Sequence, residues 1–565
     1  MLSLLTTLLL LAPPLLPQGV GGESTLLQRW DGPPSAAAFT VAVSGVGDLN
    51  SDGFDDIAVA APRASLGGIS LSGSVFVYSG ATGTLLYQWN GSHYGGLFGA
   101  AISGGGDINA DGIPDVIIGA PSTNTGGVSH SGSVFAYSGA DGSLLFRWDG
   151  VTIGEGLGGA VDCASDLNGD GHADILVGAD SAEIGGMPLT GHVTAFSGAD
   201  GSVLYRWEGE AVRDEFGTAV AGLGDINGDA IDDVLITARA ADSNGLEGTG
   251  AAYAFSGADG SLIFRWNHPV EFDRWGTAAA AAGDVNGDGT PDILLGAYLA
   301  SDEFLMSGAA CVLSGVDGSV LHLWHGESGG NWFGYSVAGT GDINEDGFAD
   351  VLIGANSANP GGLFWAGSTY LYSGFDGSLM QRWDGEAAWE SSGNAVGNAG
   401  DVNGDGRPDI LTSAAATSQG GGTGSAYVYS FDPFLFSDVT SVSASAGGVI
   451  NLQLNLPSTA ALFGYRVLMS ATGYGVMTDH GAPIPLAQDF LVDDSYYGVY
   501  PFSSFSGLHG VLDANGDALA SVNFAPLEIS PTMVGRTIWI AAAASQNGVK
   551  PAELSSIALP ITIAP

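Results

Sequence analysis

Lysine is all but missing from this chain: Lys550 is the only one in 565 residues, and Lys and Arg together number 13 against 60 Asp and Glu. Neutralising a phosphate backbone or an anionic bilayer takes clustered cations, so nucleic acid and acidic membrane are excluded as partners. Cysteine is as scarce. Cys163 and Cys311 fall on different strand positions of different repeats and are expected as small buried residues, so no disulfide framework supports the fold. Long apolar runs are confined to the start. Met1 to Gly22 is Leu-rich but interrupted by Pro13, Pro14 and Pro17, too short to span a bilayer, and reads as a secretory signal peptide over 1–22. No later run could cross a membrane, so no integral membrane segment is expected once the signal is removed. Helical periodicity is missing as well. So are catalytic signatures: the nine His are scattered, His322 and His325 would point to opposite faces of a strand, and no nucleophile elbow, zinc motif or phosphate loop occurs.

What the chain has in quantity is aspartate at fixed spacing. Asp-x-Asn-x-Asp followed by a further Asp four residues on begins at Asp48, Asp107, Asp166, Asp225, Asp284, Asp342 and Asp401, at intervals of 59, 59, 59, 59, 58 and 59 residues. Such a period makes one structural unit per repeat. The oxygen-bearing sets are Asp48, Asn50, Asp52, Asp56; Asp107, Asn109, Asp111, Asp115; Asp166, Asn168, Asp170, Asp174; and Asp225, Asn227, Asp229, Asp233. The series continues with Asp284, Asn286, Asp288, Asp292; Asp342, Asn344, Asp346, Asp350; and Asp401, Asn403, Asp405, Asp409. Positions 1, 3, 5 and 9 of each loop converge side-chain oxygens, and Gly at position 6 permits a sharp turn. An all-oxygen, carboxylate-rich shell suits calcium, where zinc would want His or Cys. Up to seven Ca2+ ions are expected, in a structural role, because the same site recurs in every unit. They would offset fourteen of the 47 net negative charges. Ala230 replaces the position-6 Gly in one loop, where a weaker or distorted site is expected.

Four strand-like pieces separate successive loops, exemplified by Phe98 to Ser103, Asp115 to Ala120, Ser133 to Tyr137 and Ser143 to Trp148, with Asp141-Gly142 as a hairpin signal. Four antiparallel strands in nearly 60 residues predict a propeller blade. A Trp marks each last strand, at Trp30, Trp89, Trp148, Trp207, Trp266, Trp324 and Trp383. Trp30 precedes the first Asp loop and no counterpart follows the last. Thr25 to Gly32 is therefore expected to be the outer strand of the final blade, closing a seven-bladed ring and removing its open edges.

These units resemble the FG-GAP repeats of integrin α subunits and of bacterial secreted proteins. The resemblance runs from about Thr25 to Ser430 and is carried by Phe98-Gly99 with Gly119-Ala120-Pro121, by Phe216-Gly217 and Phe333-Gly334, and by degraded forms such as Gly178-Ala179-Asp180. It implies a seven-bladed β-propeller whose Asp-rich loops bind calcium.

Beyond Phe431-Asp432-Pro433 the composition shifts to Ser, Ala and Val. Some eight short strands are expected there, among them Val449 to Leu454, Tyr465 to Met469, Leu519 to Phe524 and Thr537 to Ala541, as a small β-sandwich. Asp513-Ala-Asn515-Gly-Asp517 reads as an Asn-Gly hairpin turn. The expected organisation is all-β: signal peptide 1–22, propeller 23–433 and sandwich-like domain 434–565. Strand parity puts the Asp loops and the tight Asp-Gly turns on one propeller face and the long variable connections on the other. Leu363-Phe364-Trp365, Phe304-Leu305-Met306, Trp332 and Trp389 fall on that second face, either packing over the blade ends or forming an interaction surface. The function expected is a secreted or cell-surface, or periplasmic, adhesion or scaffold protein that recognises an extracellular protein or glycan. The alternative is an extracellular enzyme acting on polysaccharide or glycan from within the propeller channel.

Overall fold

The computed structural model describes residues 20–33, 39–65, 68–301, 304–415 and 423–433, together with the strands of the region 435–564. Ser24–Asp432 forms one compact unit, and Pro433–Pro565 with the residues before Ser24 forms a second.

Six four-stranded sheets of the first unit each have their strands in sequence order and antiparallel, and a seventh blade of four strands draws on both ends of the unit. In the second blade they are Ala101–Gly106, Asp115–Ala120, Ser133–Tyr137 and Leu144–Asp149. The inner strands touch their neighbours in a complete circuit, Ala42–Gly47 of the first blade meeting both Ala101–Gly106 and Ser392–Gly400 of the last. The ring is closed, and the closure is the expected one. Ser392–Gly400, Asp409–Ala414 and Ser425–Pro433 are joined by the N-terminal strand Val20–Asp31 as the fourth strand of the seventh blade. That strand starts at Val20, within the segment 1–22 read as a signal peptide; residues 1–19 of that segment lie outside the described residues.

Sequence pattern explains each layer. The second strands, such as Asp115–Ala120 (Asp-Val-Ile-Ile-Gly-Ala), are buried along their whole length and carry uninterrupted apolar runs, as strands covered on both faces do. Outer strands alternate, so Leu144–Asp149 exposes alternate side chains at the rim. Between blades the periodic Trp acts as a clasp. Trp89 Nε1 donates to Gly142 O at 3.0 Å, Trp148 to Gly201 O at 3.0 Å and Trp207 to Gly260 O at 2.9 Å, each reaching the tight turn of the next blade. Trp30 continues the series across the closure by donating to Gly83 O of the first blade at 3.0 Å. The seventh blade's outer strand comes from the N-terminus and offers no such turn, so Trp383 Nε1 donates to Ser24 Oγ at 3.1 Å instead.

Of the Phe-Gly signatures, Phe216-Gly217 and Phe333-Gly334 begin the inner strands Phe216–Gly224 and Phe333–Gly341, whereas Phe98-Gly99 stands before its own. Phe98 does not begin the inner strand; it forms an isolated parallel bridge with Gly73 of the preceding blade and is buried. A Cβ on Gly73 would lie 2.1 Å from Phe98 O, and its φ of +86° belongs to the left-handed region, so only Gly fits there. Bridges at Gly132, Gly191, Gly250, Gly308 and Gly367 repeat the arrangement.

In the second unit twelve strands are described, four more than the eight expected, because several pairings are only three residues long. Gly448–Asn455 and Asp517–Phe524 share one antiparallel sheet, and Gly464–Ser470 and Thr537–Ser545 share another. Residues 512–516, which hold most of the expected Asn-Gly turn, lie outside the described residues; the strands on either side, His509–Val511 and Asp517–Phe524, enter different sheets.

Candidate functional site

Each Asp loop connects an inner strand to the second strand of its blade. In the first, Asp48 accepts from Asp52 N at 3.1 Å and Gly53 N at 2.8 Å, Asn50 Oδ1 from Asp52 N at 2.9 Å, and Asp52 Oδ1 from Phe54 N at 3.1 Å. The same pattern recurs in the second loop, at Asp107, Asn109 and Asp111. Backbone amides orient these side chains and leave further lone pairs on every carboxylate oxygen. The Ala230 loop keeps the pattern, with Ala230 N donating to Asp225 at 2.8 Å, but at a φ of +70°. The expected distortion is therefore absent from the hydrogen bonding and is held instead as backbone strain of about 1 kcal/mol.

Position 9 does a second job. Asp115 is buried at the start of its strand and accepts from Ile108 N at 2.8 Å, Asn109 N at 3.2 Å and Gly139 N at 3.0 Å. It thereby ties the loop to the tight turn, which confirms that the two share a face. Asp56, Asp174, Asp233, Asp292 and Asp350 reach Gly80, Gly198, Gly257, Gly315 and Gly374 in the same way. Burial pushes the Asp56, Asp115, Asp174 and Asp292 carboxyls up to about 6 and Asp409 to about 7, the neighbouring carboxylates adding to the rise. Crowded, part-buried carboxylates with little compensating positive charge make a chemical environment suited to a hard cation. Asp346 shows it most plainly, being 3% exposed with an Oδ2 that has no hydrogen-bond partner. Among the described residues no group of three His, Cys, Asp or Glu side chains is gathered into a preformed metal cluster, so the loops supply donors without a closed shell.

Neighbouring loops also touch. Ala173 N donates to Asp107 O at 3.0 Å, Ala349 N to Asp284 O at 2.9 Å and Asp55 N to Asp401 O at 3.1 Å.

On the opposite face the connections differ from blade to blade. Trp332, Trp365 and Trp389, placed apart by sequence, come together: ring centroids are 6.0 Å apart for Trp332 and Trp365 and 5.2 Å for Trp365 and Trp389. Phe364 stacks on Trp365 at 5.4 Å and meets Trp389 edge-on at 4.8 Å. The rings both pack on one another and stay accessible, with Phe364 49% exposed and Leu305 in the adjoining connection 74% exposed. All three Trp have positive φ, between 52° and 69°, a region unfavourable for bulky side chains. Backbone bonds hold them there: Trp389 N donates to Phe364 O at 2.8 Å and Ser391 N to Trp365 O at 3.1 Å.

Sequence reasoning missed Tyr298 and Tyr335, which extend the cluster toward the propeller axis. Tyr298 lies 5.5 Å from Trp332 and 5.4 Å from Tyr335. It also missed the Arg239 guanidinium, which donates to Glu215 and lies 4.0 Å from Asp180. The signal was available in the residue that follows the Ala ending each second strand: Pro62, Pro121, Asp180, Arg239, Tyr298, Asn356 and Ala415 ring this end of the channel. Aligning the repeats at that position would have singled out the polar and aromatic members.

Inside the channel the seven inner strands carry mainly Gly, Ala, Ser, Thr and Val. Their one carboxyl, Asp162, accepts from Ser103 Oγ at 2.8 Å and Gly222 N at 2.9 Å and so braces three blades together.

A closed ring of seven blades, each with an Asp-rich loop on the same face, defines a repeat β-propeller. Models of the FG-GAP-like repeat match residues 107–177 and 195–295, and models of the FG-GAP repeat match 39–78, 333–372 and 392–429. The chain belongs to the FG-GAP repeat proteins, and its propeller resembles that of integrin alpha subunits. Integrin alpha-4 of Xenopus laevis is 30% identical over 250 residues, 42% of this chain and 23% of its own length. Integrin alpha-V of Gallus gallus is 30% identical over 213 residues, 36% of this chain and 20% of its own. A phosphatidylinositol-glycan-specific phospholipase D of Rattus norvegicus is 31% identical over 202 residues, 31% of this chain and 23% of its own. The chain thus spans about a fifth to a quarter of the length of these relatives. No helix among the described residues is long and apolar enough to cross a membrane.

Proposed function

We propose that this protein is a secreted or cell-surface scaffold, held rigid by calcium in its Asp loops, that binds an extracellular protein or glycan through the face opposite those loops. The observation that carries this reading is the accessible aromatic cluster of Trp332, Trp365, Trp389 and Phe364, confined to one sector of a ring whose other features repeat. A merely structural cap would recur in every blade. Aromatic side chains on a backbone already fixed by hydrogen bonds offer contact area at small entropic cost, the property of binding hot spots. Calcium would be held by the carboxylate and carboxamide oxygens of positions 1, 3, 5 and 9, and its binding would be coupled to the ordering of each loop. The Leu-rich start of the chain, read as a leader, and the likeness to integrin alpha chains support an extracellular setting, where calcium is plentiful.

The enzyme alternative is less well supported. The inner strands supply one carboxyl, Asp162, already bonded on both oxygens, so no acid–base pair faces the channel from them.

Probing arrays of extracellular proteins and of glycans with the full chain and with a Trp365→Ala, Trp389→Ala double variant tests the proposal. Signals that disappear in the double variant are expected. Signals that persist unchanged contradict the assignment of the face.

A further inference from the structure

We infer that the ligand of this face is an uncharged oligosaccharide or polysaccharide, gripped along an arc that runs from the Asp180–Arg239–Glu215 cluster to Trp389. The inference rests on the binding face proposed above and adds the class of ligand.

The arc crosses neighbouring blades. Arg239 and Tyr298 stand at equivalent positions of the fourth and fifth blades; the Tyr298 ring meets Trp332 and Tyr335, and Trp332 leads through Trp365 to Trp389. One end is therefore a row of aromatic rings. The other is a planar guanidinium held between two carboxylates, while the Asn356 and Asn394 carboxamides, joined by a 3.2 Å hydrogen bond, add polar groups on the sixth and seventh blades, at the aromatic end.

A pyranose has the matching two-sided character. Its C–H face packs on an aromatic ring by dispersion and weak C–H contacts, while its rim of hydroxyls needs donors and acceptors in fixed pairs. Guanidinium, carboxylate and carboxamide groups each present two such positions in one plane. Partly exposed rings held by their own backbone suit a ligand laid across them better than a partner that must insert a protruding anchor. Charge narrows the class further. Arg239 is already neutralised by Glu215 and Asp180, and a net charge of −47 repels acidic glycans.

The test is affinity electrophoresis of the full chain in native gels that each contain one neutral polysaccharide, namely a mannan, a xylan, a β-glucan or a galactan, with polygalacturonate as the acidic control. Retardation by at least one neutral gel and none by polygalacturonate is expected. Trp365→Ala and Arg239→Gln should each weaken the apparent affinity by about tenfold. Trp365→Tyr, which keeps a ring, should restore most of it, and Ile153→Ser, at an exposed residue of the connection between the second and third blades, should leave it unchanged. Melting curves of the variants show whether any loss reflects unfolding; should Trp365→Ala fail to fold, Arg239→Gln and Trp389→Ala carry the comparison. Unaltered mobility in every neutral gel, retardation that survives all ring removals, or retardation by polygalacturonate alone overturns the inference. Protein-array signals lost in the Trp365→Ala, Trp389→Ala variant, with no neutral-gel retardation, overturn the glycan and keep the face; array signals indifferent to those substitutions overturn both.

Discussion

The two faces of the propeller are made by the same repeat and obey opposite rules. On the Asp-loop face the seven connections are near copies, and in six blades this extends to the bond from the position-9 carboxylate to the neighbouring tight turn. On the other face the corresponding connections share a backbone course and little else: Leu71, His130, Leu189, Met306 and Trp365 occupy equivalent left-handed positions. What every blade needs in order to fold is repeated, and what only one sector carries is free to serve recognition. Left-handed backbone occurs on both faces: the Asp loops meet it with Gly or with the small or polar Ser51, Ala110, Ala230 and Glu345, whereas the opposite face places three Trp where Gly would be easier, a cost of roughly 1 kcal/mol each that folding does not require.

The largest effect expected from breaking this comparison is on the Asp face. Asp115→Ala would strand three backbone amides, those of Ile108, Asn109 and Gly139, and is expected to destabilise the propeller by about 3–5 kcal/mol even in chelator, measured by denaturant unfolding. Asp111→Ala, which removes one exposed position-5 carboxylate, should cost measurably less in chelator and show its main effect only when calcium is present.

A second test shows that the variable face has its own structural residues. Glu155 accepts from Val151 N, Thr152 N and His192 Nε2, and although burial raises its pKa, these bonds outweigh burial and hold it at about 2. A folded-state pKa below the unfolded value means that the stabilisation is present above about 4.5 and fades as pH falls toward 2. Glu155→Gln should therefore lower stability by about 2 kcal/mol at neutral pH, with the gap from the parent protein closing across that acidic range in pH-dependent melts.

Smaller effects sharpen the contrast. Ala230→Gly should stabilise the fourth loop by about 1 kcal/mol, because Gly takes the positive φ without a clash, and thermal melting reads it directly. Trp365→Ala is expected to cost about 1 kcal/mol of stability, the loss of ring contacts, because Ala keeps the same positive φ, while it removes ligand binding.

Much of the scaffold was legible in the chain because it is periodic. The Asp and Trp series, each with the same single shortened interval, set the blade count, and the offset of Trp30 identified the closing strand, now found beside Ser425–Pro433. Periodicity also hid things. Phe98 was read as the first residue of a strand when it bridges to Gly73 of the blade before, a long-range contact that no local pattern encodes. Trp332, Trp365 and Trp389 were assigned to the correct face by parity, but their convergence depends on the turn of the ring and on left-handed backbone at each, neither visible in composition. Tyr298 and Arg239 were overlooked because each stands once at a position otherwise held by Pro, Asp, Asn or Ala, so a repeat consensus treats them as noise.

The proposed division of labour assigns calcium to the repeated loops, and the most direct measurement is calorimetric melting of the full chain with millimolar calcium and after removal with a chelator. Loss of the ions should lower the melting temperature by more than about 10 °C, reversibly on returning calcium, since several sites stabilise the same cooperative ring. An unchanged melting temperature would contradict the account, leaving the seven Asp loops as turns held by their own hydrogen bonds.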